Sequence, residues 1–450
     1  MKVNFIDCER KTTYLLPPSL EDWLPEGHLA RFVVEIVEKL DLRSLKDSYS
    51  GRGSYPYNPV MLVALLFYGY ATGVFSSRKL ERSTYDSVAF RYIAANSHPD
   101  HDTIAAFRRR FLPELTNIYV RILEIAFQMK VLKLGTISLD GTKIKANASK
   151  HKAFSYDHAC KLEQQLKAEV AELLKKAEAA DQANILDGMS IPEEITRREE
   201  RLKAIAEAKV EIERRAVLRH AAEQETYEKK MAERVRKEQE TGRKPKGSVP
   251  KPPTPGPTGK DQVNLTDSES RIMPSGGGFE QAYNAQAAVD TPSMLIIAGD
   301  VSQNPNDKQE LKPALDAIGT LPENLGAVNT LIADNGYCSE ANIVSCVEKQ
   351  ITPYIAPGRE HHNQSPMERF SEPLPLPEDA DCVTRMKHRL KTVVGKAIYA
   401  KRKSTVEPVF GIIKAVMGFR SFFLRGLDLV NGEWKLVCIA WNLKRLHALR

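Results

Sequence analysis

The pattern of apolar and polar positions divides the chain into a helical first part, a set of strands, and a long charged interruption between those strands. Residues 29–40 predict an amphipathic helix, and residues 60–68 an almost wholly apolar one for which Asn58 and Pro59 suit the start. Ser76 or Ser77 suits the cap of a helix over 78–93. After the break at His98-Pro99-Asp100, Asp102 or Thr103 suits the start of a helix over 104–111 that contains Arg108, Arg109 and Arg110. Two helices across a short polar turn fit a helix-turn-helix-like DNA reader, and equally any helical bundle.

Residues 135–140 alternate apolar and polar and end on Asp140-Gly141, which predicts a strand presenting a carboxylate. Residues 279–290 and 294–301 predict two strands joined by a Thr-Pro-Ser turn, followed by a helix from about 307 to 318. Val328, Leu331 and Ile332 favour a buried strand that Asn335-Gly336 ends sharply before a helix over 339–348. Asp334 thus stands at a strand's carboxyl end, where open α/β sheets place ligands; the same position also lets it cap the following turn. Residues 401–414 predict a basic helix with one acid, Glu407, whose neighbour Pro408 is tolerated near a first turn or at a kink. Asp140, Asp334 and Glu407, on three separate elements, suit Mg²⁺, which takes a few hard oxygen ligands and leaves room for phosphate oxygens and water.

The interruption follows Asn147. Residues 156–240 are rich in Ala, Glu, Lys, Leu and Arg, with one apolar stripe at Leu162, Leu166, Val170 and Leu173 and another at Leu202, Ile205, Ile212 and Ala216. Gly188 suits the end of one helix, and Ser190 with Glu193 forms a capping box for the next, so an antiparallel helical hairpin is expected. Dimerisation, DNA contact and a solvated arm are all open roles for it. Residues 241–260, dense in Pro, Gly and Lys, cannot build a core and predict an extended basic tether.

Composition adds a partner. The 450 residues are 42% hydrophobic and 27% charged, ordinary for a soluble protein with two or three domains. The longest apolar run, residues 60–70, is too short to span a bilayer, and residues 1–7 lack a secretory signal's apolar core, so an intracellular, cytoplasmic protein with no membrane partner is expected. Six scattered cysteines (Cys8, Cys160, Cys338, Cys346, Cys382, Cys438) show no zinc spacing and are read as reduced thiols; His361-His362 is no metal motif either. Net charge is +7, but residues 385–450 hold 15 Lys or Arg against 3 acids, a net +12 that leaves −5 for everything before. Positive charge gathered around Glu407 favours a polyanion, nucleic acid above all, over a merely solvated cationic face.

With these segments together, the chain resembles the DDE transposases of bacterial insertion sequences. That family has its first Asp in a strand followed by Gly-Thr, its second in an Ala-Asp-x-Gly-Tyr strand end, and its Glu in a basic helix with Lys seven residues on; Asp140, Asp334, Glu407 and Lys414 match. A related signature has Tyr seven and Arg four residues before the Glu, where this chain has Ala400 and Lys403, with Tyr399 and Arg402 each one place off. Tyr57-Asn-Pro, Ser77-Arg-Lys-Leu-Glu and Asp102-Thr-Ile-Ala-Ala-Phe-Arg are similar to the family's helical N-terminal domain, and Tyr283, Asn284 and Gln286 to its second-strand pattern.

The resemblance implies an α/β fold: a ribonuclease H-like mixed sheet flanked by helices, an all-helical N-terminal domain and an inserted helical hairpin. The domains expected are 1–130 for DNA binding, 131–152 with 262–450 for catalysis, 153–240 for the hairpin and 241–261 for the linker. The expected activity is metal-dependent cleavage at the ends of an insertion sequence and joining of the freed 3′-hydroxyls to target DNA. Asp140, Asp334 and Glu407 would hold two Mg²⁺ ions about 4 Å apart, with Mn²⁺ as a substitute. Lys403, Lys414, Arg108, Arg109 and Arg110 would contact DNA. The partners implied are double-stranded DNA, as terminal inverted repeats and target, and further copies of the chain in a homodimer or higher oligomer, nucleoid-associated when bound. A ribonuclease H-like nuclease without strand transfer, and an inactive DNA-binding relic, are the alternatives.

Overall fold

The computed structural model describes residues 19–49, 56–183, 191–243, 245, 247–275, 278–358 and 372–450. Residues 1–7 with Cys8, the Gly188 and Ser190 caps, and His361-His362 lie outside the described residues. Two units emerge: one from the described parts of Met1–Ile144, Asn284–Leu424 and Asp428–Arg450, the other from Lys145–Tyr283 with Arg425–Leu427.

The first unit begins with helices Leu29–Glu38, Arg43–Asp47, Pro59–Thr72, Ser77–Asp86, Val88–Ile93, His101–Phe111 and Leu115–Gln128. Pro59 does open its helix, under an Asn58 side chain that accepts from the Val60 N–H at 3.0 Å. That helix is apolar on every side because every side is covered, Leu62, Leu65, Leu66 and Phe67 being buried. The single helix expected over 78–93 is two, broken where Ser87 turns extended (φ −116°, ψ 125°). The next helix starts earlier than Asp102 or Thr103: Asp100 is the cap, its carboxylate accepting from the Thr103 N–H at 2.8 Å. Among the described residues no single helix is long and apolar enough to cross a membrane; one sharply bent pair, Pro59–Thr72 with Ser77–Asp86, meets the test only when taken together.

Eight strands follow among the described residues: β1 (Thr136–Lys145), β2 (Ala153–Ser155), β3 (Gln262–Asn264), β4 (Arg271–Ser275), β5 (Gly278–Asp290), β6 (Ile296–Ser302), β7 (Thr330–Ala333) and β8 (Thr352–Ile355). The sheet of the first unit runs β6-β5-β1-β7-β8. β1, β7 and β8 are parallel, and β5 and β6 antiparallel, so the sheet is mixed as expected. The turn after Asp290 is as predicted; the helix expected from Asp307 starts at Leu311, and Ser339 caps Glu340–Glu348. β1 does not end on Asp140-Gly141 but continues to Lys145.

Sequence reading passed over β8 and the long helix Leu427–Leu449, placing the last helix at Glu407. That later helix closes one side of the sheet. The Asn442 side chain accepts from the Ile296 N–H and donates to its carbonyl, both at 2.8 Å, and Trp434 Nε1 donates to the Gln286 carbonyl at 2.9 Å. It also carries a buried acid, Glu433, which is fully enclosed. Its carboxylate accepts from Tyr70 Oη at 2.8 Å and from the N–H groups of Phe423 and Leu424 at 2.9 and 3.0 Å, and Arg108 Nη1 donates to the same Tyr70 oxygen at 3.1 Å. Burial pushes the Glu433 carboxyl above its usual pKa.

The second unit holds the expected hairpin, helices Tyr156–Ala183 and Ile191–Thr241. Leu166, Ile205, Ile212 and Ala216 of the two predicted stripes are buried, and Glu163–Lys209 and Glu169–Arg198 ion pairs at 2.7 and 2.8 Å fix the antiparallel sense. β2 and β3 pair antiparallel at its base, and β4 pairs with the first residues of β5. The Pro-rich stretch is extended but lies back on the longer helix: Arg234 donates to the Pro245 carbonyl at 3.2 Å, and Arg219 to the Gly256 carbonyl at 3.1 Å.

Candidate active site

The first two carboxylates meet because of register. β1 and β7 pair in parallel from Thr136↔Thr330 to Leu139↔Ala333, so Asp140 and Asp334 are the next residues on neighbouring strands, whose spacing is about 4.8 Å. Each is held in the same way by a following glycine: the Gly141 N–H donates to Asp140 Oδ1 and the Gly336 N–H to Asp334 Oδ1, both at 2.8 Å. Asp334 therefore does cap the short 3₁₀ turn Asn335–Tyr337, with one carboxylate oxygen. Capping and presentation of the acid are compatible, since its second oxygen takes no part in the cap.

Glu407 arrives from the far side of the chain, in the helix Val406–Gly411, where Pro408 lies in the first turn and so sacrifices no helical hydrogen bond. Arg402, in the preceding 3₁₀ turn Lys401–Ser404, ties it to the first acid. One guanidinium nitrogen lies 3.3 Å from Asp140 Oδ2 and the other 2.7 Å from Glu407 Oε1. A π turn over Ile412–Val416 then carries Lys414 back to β1, where its ammonium donates to Thr142 Oγ1 and to the Lys143 carbonyl at 3.0 Å.

The charges have not cancelled. Burial, and then the Asp334 carboxylate beside it, push Asp140 from the usual 3.8 up to about 7, against the Gly141 N–H and Arg402, which pull it down. Burial also depresses the Lys414 ammonium, while Asp140 works the other way. Two adjacent carboxylates that repel one another, with Arg402, Lys143 and Lys414 around them, make a hard-oxygen donor set suited to a multivalent cation, with cations at hand for a phosphate.

Comparison with known proteins decides the family. Residues 248–443 match the transposase DDE domain, and residues 18–110 match a transposase domain (DUF772), so that the two cover well over half of the chain. The chain belongs to the DDE transposases. No curated protein and no solved structure matches it significantly. The DDE domain carries with it a ribonuclease H-like fold, which the strand order above satisfies. Membership also makes this a transposase, with DNA as its partner and divalent metal ions as the family's usual cofactor.

The donor set suits such an ion. Among the described residues no group of three His, Cys, Asp or Glu stands ready-made for a metal. Yet a cation already lies between two of the acids, as the Arg402 guanidinium, and its carboxylate partners are the hard oxygens Mg²⁺ prefers.

The remaining expected contacts are dispersed. Lys403 is exposed beside Arg402, and it is Arg402, out of step with the family's spacing, that reaches the acids. Arg109 and Arg110 are exposed, with Arg110 lying over the Tyr49 ring at 4.6 Å. Arg108 corrects the sequence reading: it is only 7% exposed and donates to Tyr70 and to the Phe75 carbonyl at 2.9 Å, so its guanidinium is spent inside the fold rather than on a phosphate. Its helix turns that position inward, and the run of three arginines gives no hint of it. Sequence reading also missed Asp307, taken only as a helix start, which joins this cluster through Asn284, Gln286 and Lys143.

Proposed function

We propose that this transposase binds the ends of an insertion sequence, cleaves them, and joins the freed 3′-hydroxyls to target DNA, with Asp140, Asp334 and Glu407 as its acidic triad. The observation that carries the reading is the register of β1 against β7, which sets two carboxylates side by side, Asp140 within β1 and Asp334 just past the end of β7, together with the Arg402 bridge to Glu407. Divalent ions bound there, Mg²⁺ or Mn²⁺ and two in number, would supply activation of the attacking oxygen and neutralisation of the leaving one. The chain's own residues hold and orient. Gly141 and Gly336 N–H groups fix one oxygen of each aspartate, and the second oxygen of Asp140 is the one that faces Arg402. Lys414, anchored on Thr142 beside Asp140, and exposed Lys403 would position phosphates flanking the scissile one. Residues 1–130, with Arg109 and Arg110, would read the ends; 131–152 with 262–450 would form the catalytic domain, 241–261 its linker, and the 153–240 hairpin an arm of a dimer or higher oligomer on DNA.

Purified protein with the element's own ends in Mg²⁺ tests this. Asp140→Ala, Asp334→Ala and Glu407→Ala should each lose nicking while retaining end binding; cleavage at the unmodified rate in any one removes that residue from the triad. Precleaved ends should be joined to a target plasmid. Nicking without any joining would instead assign a nuclease.

A further inference from the structure

We infer that Asp307 is a positioning residue for the site, its carboxylate drawing Lys143, Asn284 and Gln286 into a clamp that holds the Asp140 and Asp334 segments at their working separation. The inference rests on the triad reading above and adds to it a residue that reading does not contain. Asp307 Oδ1 accepts from Asn284 Nδ2 at 2.7 Å, from Gln286 Nε2 at 2.9 Å and from Lys143 Nζ at 3.5 Å. Lys143 lies three residues after Asp140 on β1. From the other strand, Tyr337, three residues after Asp334, donates its hydroxyl to Gln286 Oε1. A polar chain therefore runs from β1 through Asp307 and Gln286 to the turn after β7. Asn342 ties the middle of that chain to its far end, donating to the carbonyl of Lys308, next to Asp307, at 2.8 Å and to the Tyr337 carbonyl at 2.7 Å.

Two glycines show how closely the clamp fits the aspartates. A Cβ on Gly141 would lie 2.6 Å from Asp307 Oδ1 and 2.3 Å from Gln286 Nε2; one on Gly336 would lie 3.3 Å from Asp307 Oδ2 and 2.9 Å from Asp334 Oδ1. At Gly141 the clamp itself fills the space a side chain would need, while at Gly336 the Asp334 carboxylate lies nearest and Asp307 adds a tight second contact. A carboxylate with three donors on one oxygen, wedged against the Asp140 strand and the turn after Asp334, acts on ligand geometry as the outer partners of metal ligands do.

Mn²⁺ binding to the metal-free, full-length protein without DNA, followed by electron paramagnetic resonance, separates the possibilities, with thermal melting recorded alongside. The unmodified protein should bind and Asp140→Ala should not. Asp307→Ala should weaken Mn²⁺ binding roughly ten- to a hundredfold, and Asp307→Asn, which keeps an acceptor oxygen, should weaken it less. Gln286→Leu leaves the carboxylate but cuts the link to Tyr337, and should lower affinity to a similar degree. Combining it with Asp307→Ala should cost no more than the worse single change, because both break one device. Unchanged Mn²⁺ affinity in both Asp307 variants, with or without a lowered melting temperature, overturns the inference. So does a loss in Asp307→Ala with normal binding in Gln286→Leu, which would make Asp307 a direct ligand. If the unmodified protein and Asp140→Ala bind alike, the triad reading itself fails and takes the clamp's role with it.

Discussion

Neutralising Asp140 should make the metal-free protein more stable, increasingly so as pH rises from about 4 to about 7. The folded chain holds the Asp140 proton to about 7, whereas an unfolded chain releases it near 3.8. Between those values the native state binds more protons than the unfolded state, so stability falls as pH rises, and the full cost is present above 7. At 1.36 kcal/mol per pH unit the displacement corresponds to about 4 kcal/mol at most, and relaxation of the half-exposed neighbours reduces it to about 2–4 kcal/mol. Asp140→Asn keeps the acceptor for the Gly141 N–H and removes the charge that Asp334 opposes. Thermal or urea denaturation in EDTA, run from pH 4 to pH 8 on both proteins, should show no difference at the acid end and an advantage for Asp140→Asn that grows from about pH 4 and levels off above about pH 7. Adding Mg²⁺ at pH 8 should raise the stability of the unmodified protein and not that of the variant, because an ion relieves the same repulsion. A variant-minus-wild-type difference that does not change with pH would refute the reasoning, since a titrating carboxylate is its only source.

Glu433→Ala would take the acceptor from two buried donors, Tyr70 Oη and the Leu424 N–H, and should cost about 3–5 kcal/mol in denaturant unfolding; a loss below about 1 kcal/mol would mean water replaces the carboxylate. Arg108→Ala should likewise lower stability, while Arg109→Ala with Arg110→Ala should leave it near normal and flatten the salt dependence of end binding. The opposite assignment in a salt titration would return Arg108 to the DNA. Lys414→Ala should weaken binding of precleaved ends and slow joining, with Arg giving partial rescue; full recovery on raising Mg²⁺ alone would contradict a phosphate contact.

The strands carrying Asp140 and Asp334 were legible because each ends an apolar run at Asp-Gly or Asp-Asn-Gly, and the hairpin because its stripes repeat at helical spacing. Asp100 was hidden by two other plausible caps within three residues, and the break at Ser87 by an apolar pattern that continues across it. Arg402 was displaced from its expected place by one residue, a discrepancy that only the 3₁₀ turn before Glu407 resolves, since such a turn rotates each side chain by about 120° rather than 100°. Asp307 and Glu433 carry no local signal at all: their partners lie 21 to 164 and 9 to 363 residues away, and no periodicity reports a contact of that reach.

The helix Leu427–Leu449 has a consequence for the order of synthesis. It supplies Asn442 to β6, Trp434 to β5 and Glu433 to the helices that hold Tyr70 and Arg108, all of which leave the ribosome before it does. Until it emerges, Ile296 and Gln286 lack their side-chain partners and a wide apolar surface on those earlier elements stays open. The N-terminal helices and the acid-bearing strands are thereby finished in one late step rather than in sequence. A message interrupted between residues 408 and 426 yields a chain that holds Asp140, Asp334 and Glu407, yet lacks the helix whose side chains bond to Tyr70, β5 and β6.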